Sequence, residues 1–185
     1  GSASLAELRA FLDDSLATLD AARAGKLAPD DPVRLIAEAR AAQAGGDPAR
    51  AATLFEKVAG KLAADHPRRG EVLAGWLFAL YAAKDWQRCA AVGEAHLGEV
   101  RGAAIPADFS SFLLTCGDHL GPAEQARVRA AAIGRLRAFT AAPPPEASAD
   151  DRADAWSTLA EALADAGDEE GSRRAFEAKL AILVK

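Results

Sequence analysis

Residues 153–183 read ADAWSTLAEALADAGDEEGSRRAFEAKLAIL, and this stretch decides the fold. Trp156, Leu159, Ala160 and Leu163 recur at spacings of three and four, the period that places side chains on one face of a helix. Gly167-Asp168 then interrupts the pattern. Glycine tolerates the left-handed conformation that ends a helix, and aspartate caps the start of the next one. A second helical run follows, carrying Ser172 and Phe176 four residues apart. The segment is therefore a helix hairpin.

The same frame recurs upstream. Ala39 and Ala51 are twelve residues apart, as are Ala160 and Ser172, and Gly46-Asp47 stands where Gly167-Asp168 stands. Phe55 follows Ala51 by four, as Phe176 follows Ser172. A third copy has Leu73, Trp76, Leu77 and Leu80 on its first helix, Lys84-Asp85 at the turn, Cys89 at the small position and Gly93 in place of the aromatic. A fourth, from Pro106 to Thr140, keeps hairpin length but little of the signature. Small residues allow two helices to approach to about 8–10 Å, and the aromatic fills the wedge between successive hairpins. One hairpin cannot bury its own apolar face, so such units stack.

These residues resemble the tetratricopeptide family, with Ala160, Leu163 and Ser172 departing from the family's usual Gly, Tyr and Ala. The resemblance implies an all-α, right-handed superhelical stack of antiparallel helix hairpins, a TPR-like α-solenoid. About nine helices are expected. Residues 1–31 read as an N-terminal helix and linker, with Ser4 and Glu7 as a capping box and a stripe of Leu5, Leu8, Leu12, Leu16 and Leu19. Residues 32–185 read as one continuous domain of irregular repeats at about 32–65, 70–101, 106–141 and 150–185. The expected helices run 33–44, 49–64, 70–83, 86–100, 106–119, 123–140, 150–166 and 168–185. Ala142-Pro143-Pro144-Pro145 is the strongest breaker.

The family's groove is lined by first helices. Carried onto this chain, the groove positions are Ile36, Arg40, Gln43, Phe78, Tyr81, Ser111, Thr115, Ser157 and Glu161. Arg40 and Gln43 supply donors, and Phe78 and Tyr81 share a face that suits a bound side chain or the core. The implied function is a non-catalytic scaffold or adaptor for a protein or peptide partner. The Lys and Asn of the family's carboxylate clamp are absent. The alternative is a self-association or regulatory module of a larger protein, acting through the apolar C-terminal edge at Leu180, Ile182, Leu183 and Val184.

The formal charge of −5 and pI of about 5.3 argue against nucleic acid, whose backbone rewards clustered cations. Arg68-Arg69 and Arg173-Arg174 sit near acids and read as solvated faces. The longest apolar run, Leu73 to Ala83, is too short to span a bilayer. An alanine-rich, Met-free composition with Arg favoured over Lys suggests a high-GC bacterial source. Gly1-Ser2 reads as a cloning remnant, so the compartment stays open between cytoplasm and export.

Cys89 and Cys116 are the two cysteines, and their pairing stays open. Cys89 reads first as a small buried residue at a helix crossing. Cys116 and His119, three apart, offer a remote alternative as a thiolate–imidazolium or partial metal pair, against a plain helix end. His66 and His96 read as isolated. Adjacent acids such as Asp13-Asp14, Asp150-Asp151 and Glu169-Glu170 diverge on a helix and form no catalytic pair. No cofactor, metal site or catalytic residue is assigned. Trp76, Trp86 and Trp156 are all expected in the core.

Overall fold

In the computed structural model the described residues are Gly25, 27–100 and 105–184, and they are all-helical. Eight helices follow in order: α1 (Pro32–Ala44), α2 (Pro48–Ala59), α3 (Arg69–Ala82), α4 (Trp86–His96), α5 (Ile105–Gly117), α6 (Pro122–Ala141), α7 (Ala149–Asp165) and α8 (Glu169–Leu183). The expected N-terminal helix, with its capping box and Asp13-Asp14, lies outside the described residues.

Three of the turns share one geometry. Gly46, Lys84 and Gly167 take positive φ of 78°, 57° and 80°. The aspartate that follows each donates its N–H back across the turn, Asp47 to Ala42 O, Asp85 to Leu80 O and Asp168 to Leu163 O, at 2.9–3.0 Å. These bonds satisfy carbonyls that the ending helix leaves open. The aspartate side chains then accept from the first turn of the next helix, from Arg50 N, Arg88 N and Gly171 N. Thus α1–α2, α3–α4 and α7–α8 are hairpins of one design. The turn between α5 and α6 differs: Gly121 precedes Pro122 with no side-chain cap. After the proline-rich stretch, Ser148 and Asp151 form a reciprocal capping box at the start of α7.

Each helix packs on the next in sequence, and α3, α5 and α7 also pack in series on one another. The interfaces between hairpins are closed by complementary sizes. The Phe55 ring of α2 lies so close to Gly75 of α3 that a methyl there would come within 2.7 Å of Cζ. One 38-residue step along the chain, the sizes are exchanged: Leu113 of α5 fills the space over Gly93 of α4, where a methyl would meet Cδ1 at 2.6 Å. Ala39, Ala51 and Ala160 are fully buried or nearly so, and Ser172 is buried too, as small residues at close crossings must be.

Several element ends differ from the sequence reading. α2 stops at Ala59, capped by Gly60, where a helix to residue 64 was expected, and α4 stops at His96 where one to residue 100 was expected. The apolar residues beyond still pack: Leu62 lies against the core, and Leu97 and Val100 are buried. Of the tryptophans, Trp76 is buried in the core, whereas Trp86 and Trp156 are half-buried at its edge. Arg69 also departs from the solvated face expected for it. Its guanidinium donates to Ala59 O and Leu62 O at 2.8 Å and to Glu99 at 2.5 Å, which clasps the loop after α2 to the loop after α4.

Candidate functional site

The first helices of successive hairpins, α1, α3 and α5, are laced together along one side. Arg40 on α1 pairs with Glu71 on α3. Gln43, one turn on, donates to Gly75 O of α3 at 3.4 Å. Arg40 is exposed and Gln43 half-buried. Ile36 of α1 is buried at 3% exposure and belongs to the core instead of the groove. Residues four apart lie on neighbouring parts of one helix face, and Ile36 falls on its buried border while Arg40 stays exposed.

Between α3 and α5 the lacing is aromatic. The ring centroids of Phe78 and Phe112 are 5.2 Å apart in an edge-on arrangement, and Tyr81 lies 5.5 Å from Phe112 and 6.3 Å from Phe78. Tyr81 also meets Trp86 at 5.9 Å, and Trp86 stacks on His119 at 4.0 Å with an interplanar angle of 15°. Offset and edge-on pairs of this kind stabilise beyond their buried area, by about 0.5–1.5 kcal/mol each. Five rings thus form a continuous strip whose outer member, Phe78, remains 40% exposed. Phe78 and Tyr81 are therefore neither free platforms nor core, but the surface layer of the α3–α5 contact. Phe112 is a member that sequence reasoning missed, whereas Trp86 was expected in the core and His119 was weighed only as a partner of Cys116. The i, i+3 spacing of Phe78 and Tyr81 was a visible signal, but their partners come from α4, α5 and the turn after α5, which local pattern cannot align.

The other candidates are not ring members: Ser111 and Thr115 flank Phe112 on α5, and Ser157 and Glu161 stand on α7. Ser111 is exposed, and the Thr115 hydroxyl donates to Ser111 O at 3.0 Å, so its donor is used within α5. Ser157 on α7 accepts from Lys179 Nζ of α8 at 3.0 Å. Glu161 is exposed one turn further along α7. Arg40 and Gln43 on one side and the aromatic strip on the other share α3; Ser157 and Glu161 are tied to the last hairpin.

Beneath the strip Cys89 and Cys116 form a disulfide, with Cα atoms 6.1 Å apart and both residues fully buried. The bond joins α4 to α5, and the Trp86–His119 stack, three residues along from each cysteine, joins α4 to the turn after α5. The sulfur of Cys116 is thus committed to Cys89, and the His119 ring lies on indole. No group of three or more His, Cys, Asp or Glu able to hold a metal occurs among the described residues. His96, read as isolated, meets Glu99 at 2.8 Å and lies 5.8 Å from Trp76. The Arg69 guanidinium, with help from His96, holds the Glu99 carboxyl below its ordinary value against the opposing effect of burial.

No family model, curated protein or solved structure matches the chain. No helix among the described residues is long and apolar enough to cross a membrane.

Proposed function

We propose that the chain is a non-catalytic protein- or peptide-binding module, a right-handed superhelical stack of tetratricopeptide-like hairpins that binds its partner along the first helices. The repeated turn geometry at Gly46-Asp47, Lys84-Asp85 and Gly167-Asp168 supports the repeat reading. The exchange of Phe55–Gly75 for Gly93–Leu113 supports it as well. The observation that carries the binding reading is the aromatic strip from Phe78 to His119, edged by Arg40 and Gln43. Aromatic rings with nearby cations are the residue types that dominate protein-binding surfaces.

The test is capture of a partner from the source organism by the chain and by an Arg40→Ala/Phe78→Ala variant. Arg40 is exposed and Phe78 lies at the surface edge of the strip, so the variant stays folded, with a melting temperature lowered by no more than the Phe78 ring contacts contribute. A partner held by the wild type and lost by the variant supports the face. Equal retention by both contradicts it.

A second reading, self-association through the C-terminal edge, is favoured by one specific contrast. Phe55 is buried at 3%, whereas Phe176, at the corresponding place in the last hairpin, is 42% exposed beside exposed Leu180, Leu183 and Val184. Sedimentation across a concentration series, with Phe176→Ser as control, separates the two. The buried disulfide supports folding in an oxidising compartment, where such bonds form and persist.

A further inference from the structure

A cavity of about 340 Å³ opens between α6, α7 and α8, away from the aromatic strip. Its floor is apolar: Trp156, Leu159 and Leu163 from α7, and Ala175 from α8. The charged side chains that line it are Arg137 and Arg174, one from α6 and one from α8, and no acidic residue does. The volume lies at the lower end of the range typical of small-molecule sites, about 300–1,000 Å³.

The two guanidinium groups are weakly engaged. Arg137 meets Asp168 only at 3.5 Å, through Oδ2, the other oxygen Oδ1 capping α8 by accepting from Gly171 N. Arg174 meets Glu170 only at 3.8 Å, because Arg173 grips the same carboxylate with two bonds of 2.8 and 2.9 Å. Both arginines remain largely exposed, at 59% and 67%. Surface pairs this long contribute little and give way readily to a better anion. A carboxylate offers two oxygens that match the guanidinium fork.

We propose that this cavity is a second binding site, for a small amphiphilic carboxylate whose apolar tail rests on Trp156, Leu159 and Leu163 and whose head lies between Arg137 and Arg174. It is independent of the partner-binding face and is tested separately. The probe is octanoate, added to the full chain. The readout is the nuclear magnetic resonance signal of the Trp156 indole N–H, assigned by its loss in Trp156→Phe.

Octanoate is expected to move that signal saturably. Acetate, which lacks the tail, and octanol, which lacks the charge, should each bind at least tenfold more weakly. Arg137→Gln/Arg174→Gln should lose the octanoate response at least tenfold. Arg174→Gln alone, which gives up only a 3.8 Å contact, keeps the test informative if the double variant unfolds, and should weaken binding measurably. An unmoved indole signal overturns the proposal. So does octanol binding as well as octanoate, or an Arg174→Gln protein that binds octanoate like the wild type.

Discussion

Phe55 and Gly75 meet across the interface between the first two hairpins with no room for one more carbon, since a Cβ on Gly75 would stand 2.7 Å from the ring. Gly75→Ala is therefore expected to destabilise by about 1–3 kcal/mol, the usual cost of overpacking a filled core. Gly134, in the middle of α6, has open space around its would-be Cβ. There Gly134→Ala should stabilise by about 0.5–1 kcal/mol, because alanine loses less backbone freedom in a helix. Urea unfolding of the two variants checks both signs. Equal effects would mean that the Phe55 wedge is not tightly packed.

Lys84 occupies the left-handed turn position that Gly46 and Gly167 fill elsewhere, with φ of 57°. A side chain there costs roughly 1 kcal/mol relative to glycine. Lys84→Gly is expected to raise stability by about 0.5–1 kcal/mol, read from the shift in urea midpoint. A loss of stability would contradict the equivalence of the three turns.

That equivalence also shows how far the sequence could be read. Gly46-Asp47, Lys84-Asp85 and Gly167-Asp168 were legible because the left-handed residue and the capping carboxylate are both local requirements. The ends of α2 and α4 were not. Leu62, Leu97 and Val100 continue the apolar pattern past the helices because they anchor loops to the core, and periodicity alone does not separate the two cases. The Arg69 clasp, the aromatic strip and the cavity beside Trp156 depend on how distant helices cross, which no local spacing encodes. Ile36 shows the same limit within one helix, where a small error of phase separates groove from core.

The Cys89–Cys116 bond closes a segment with a sequence separation of 27. Restricting the unfolded chain in this way contributes about 3–4 kcal/mol by the chain-entropy estimate. Cys89→Ala/Cys116→Ala should therefore melt well below the wild type. The native bond, fully buried, should resist a thiol reductant until the protein is unfolded. Thermal melting with and without reductant checks this, and rapid reduction of the folded protein would show that the α4–α5 contact opens readily.

Two carboxylates give opposite pH signatures. Glu99 is held below its ordinary value of 4.5, chiefly by the hydrogen bond from Arg69, so its contribution is present above that pH and lost as pH falls through its lowered value. Asp108 is held above its ordinary value of 3.8, first by desolvation and then by the charges of Asp154 and Asp151. Its ionisation therefore disfavours the folded state at neutral pH, and the penalty fades as pH falls toward 3.8. Glu99→Gln should melt below the wild type at pH 7, and Asp108→Asn slightly above it. Both differences should shrink in acid. Melting curves that stay parallel to the wild type across that range would exclude these assignments.

We propose that the first-helix face carries recognition. The most direct test is hydrogen exchange of the chain with and without its captured partner. New protection is expected along α3 and α5, around Phe78, Tyr81 and Phe112, and on α1 at Arg40 and Gln43. Protection confined to α8, at Phe176, Leu180 and Leu183, would contradict the claim and assign binding to the C-terminal edge.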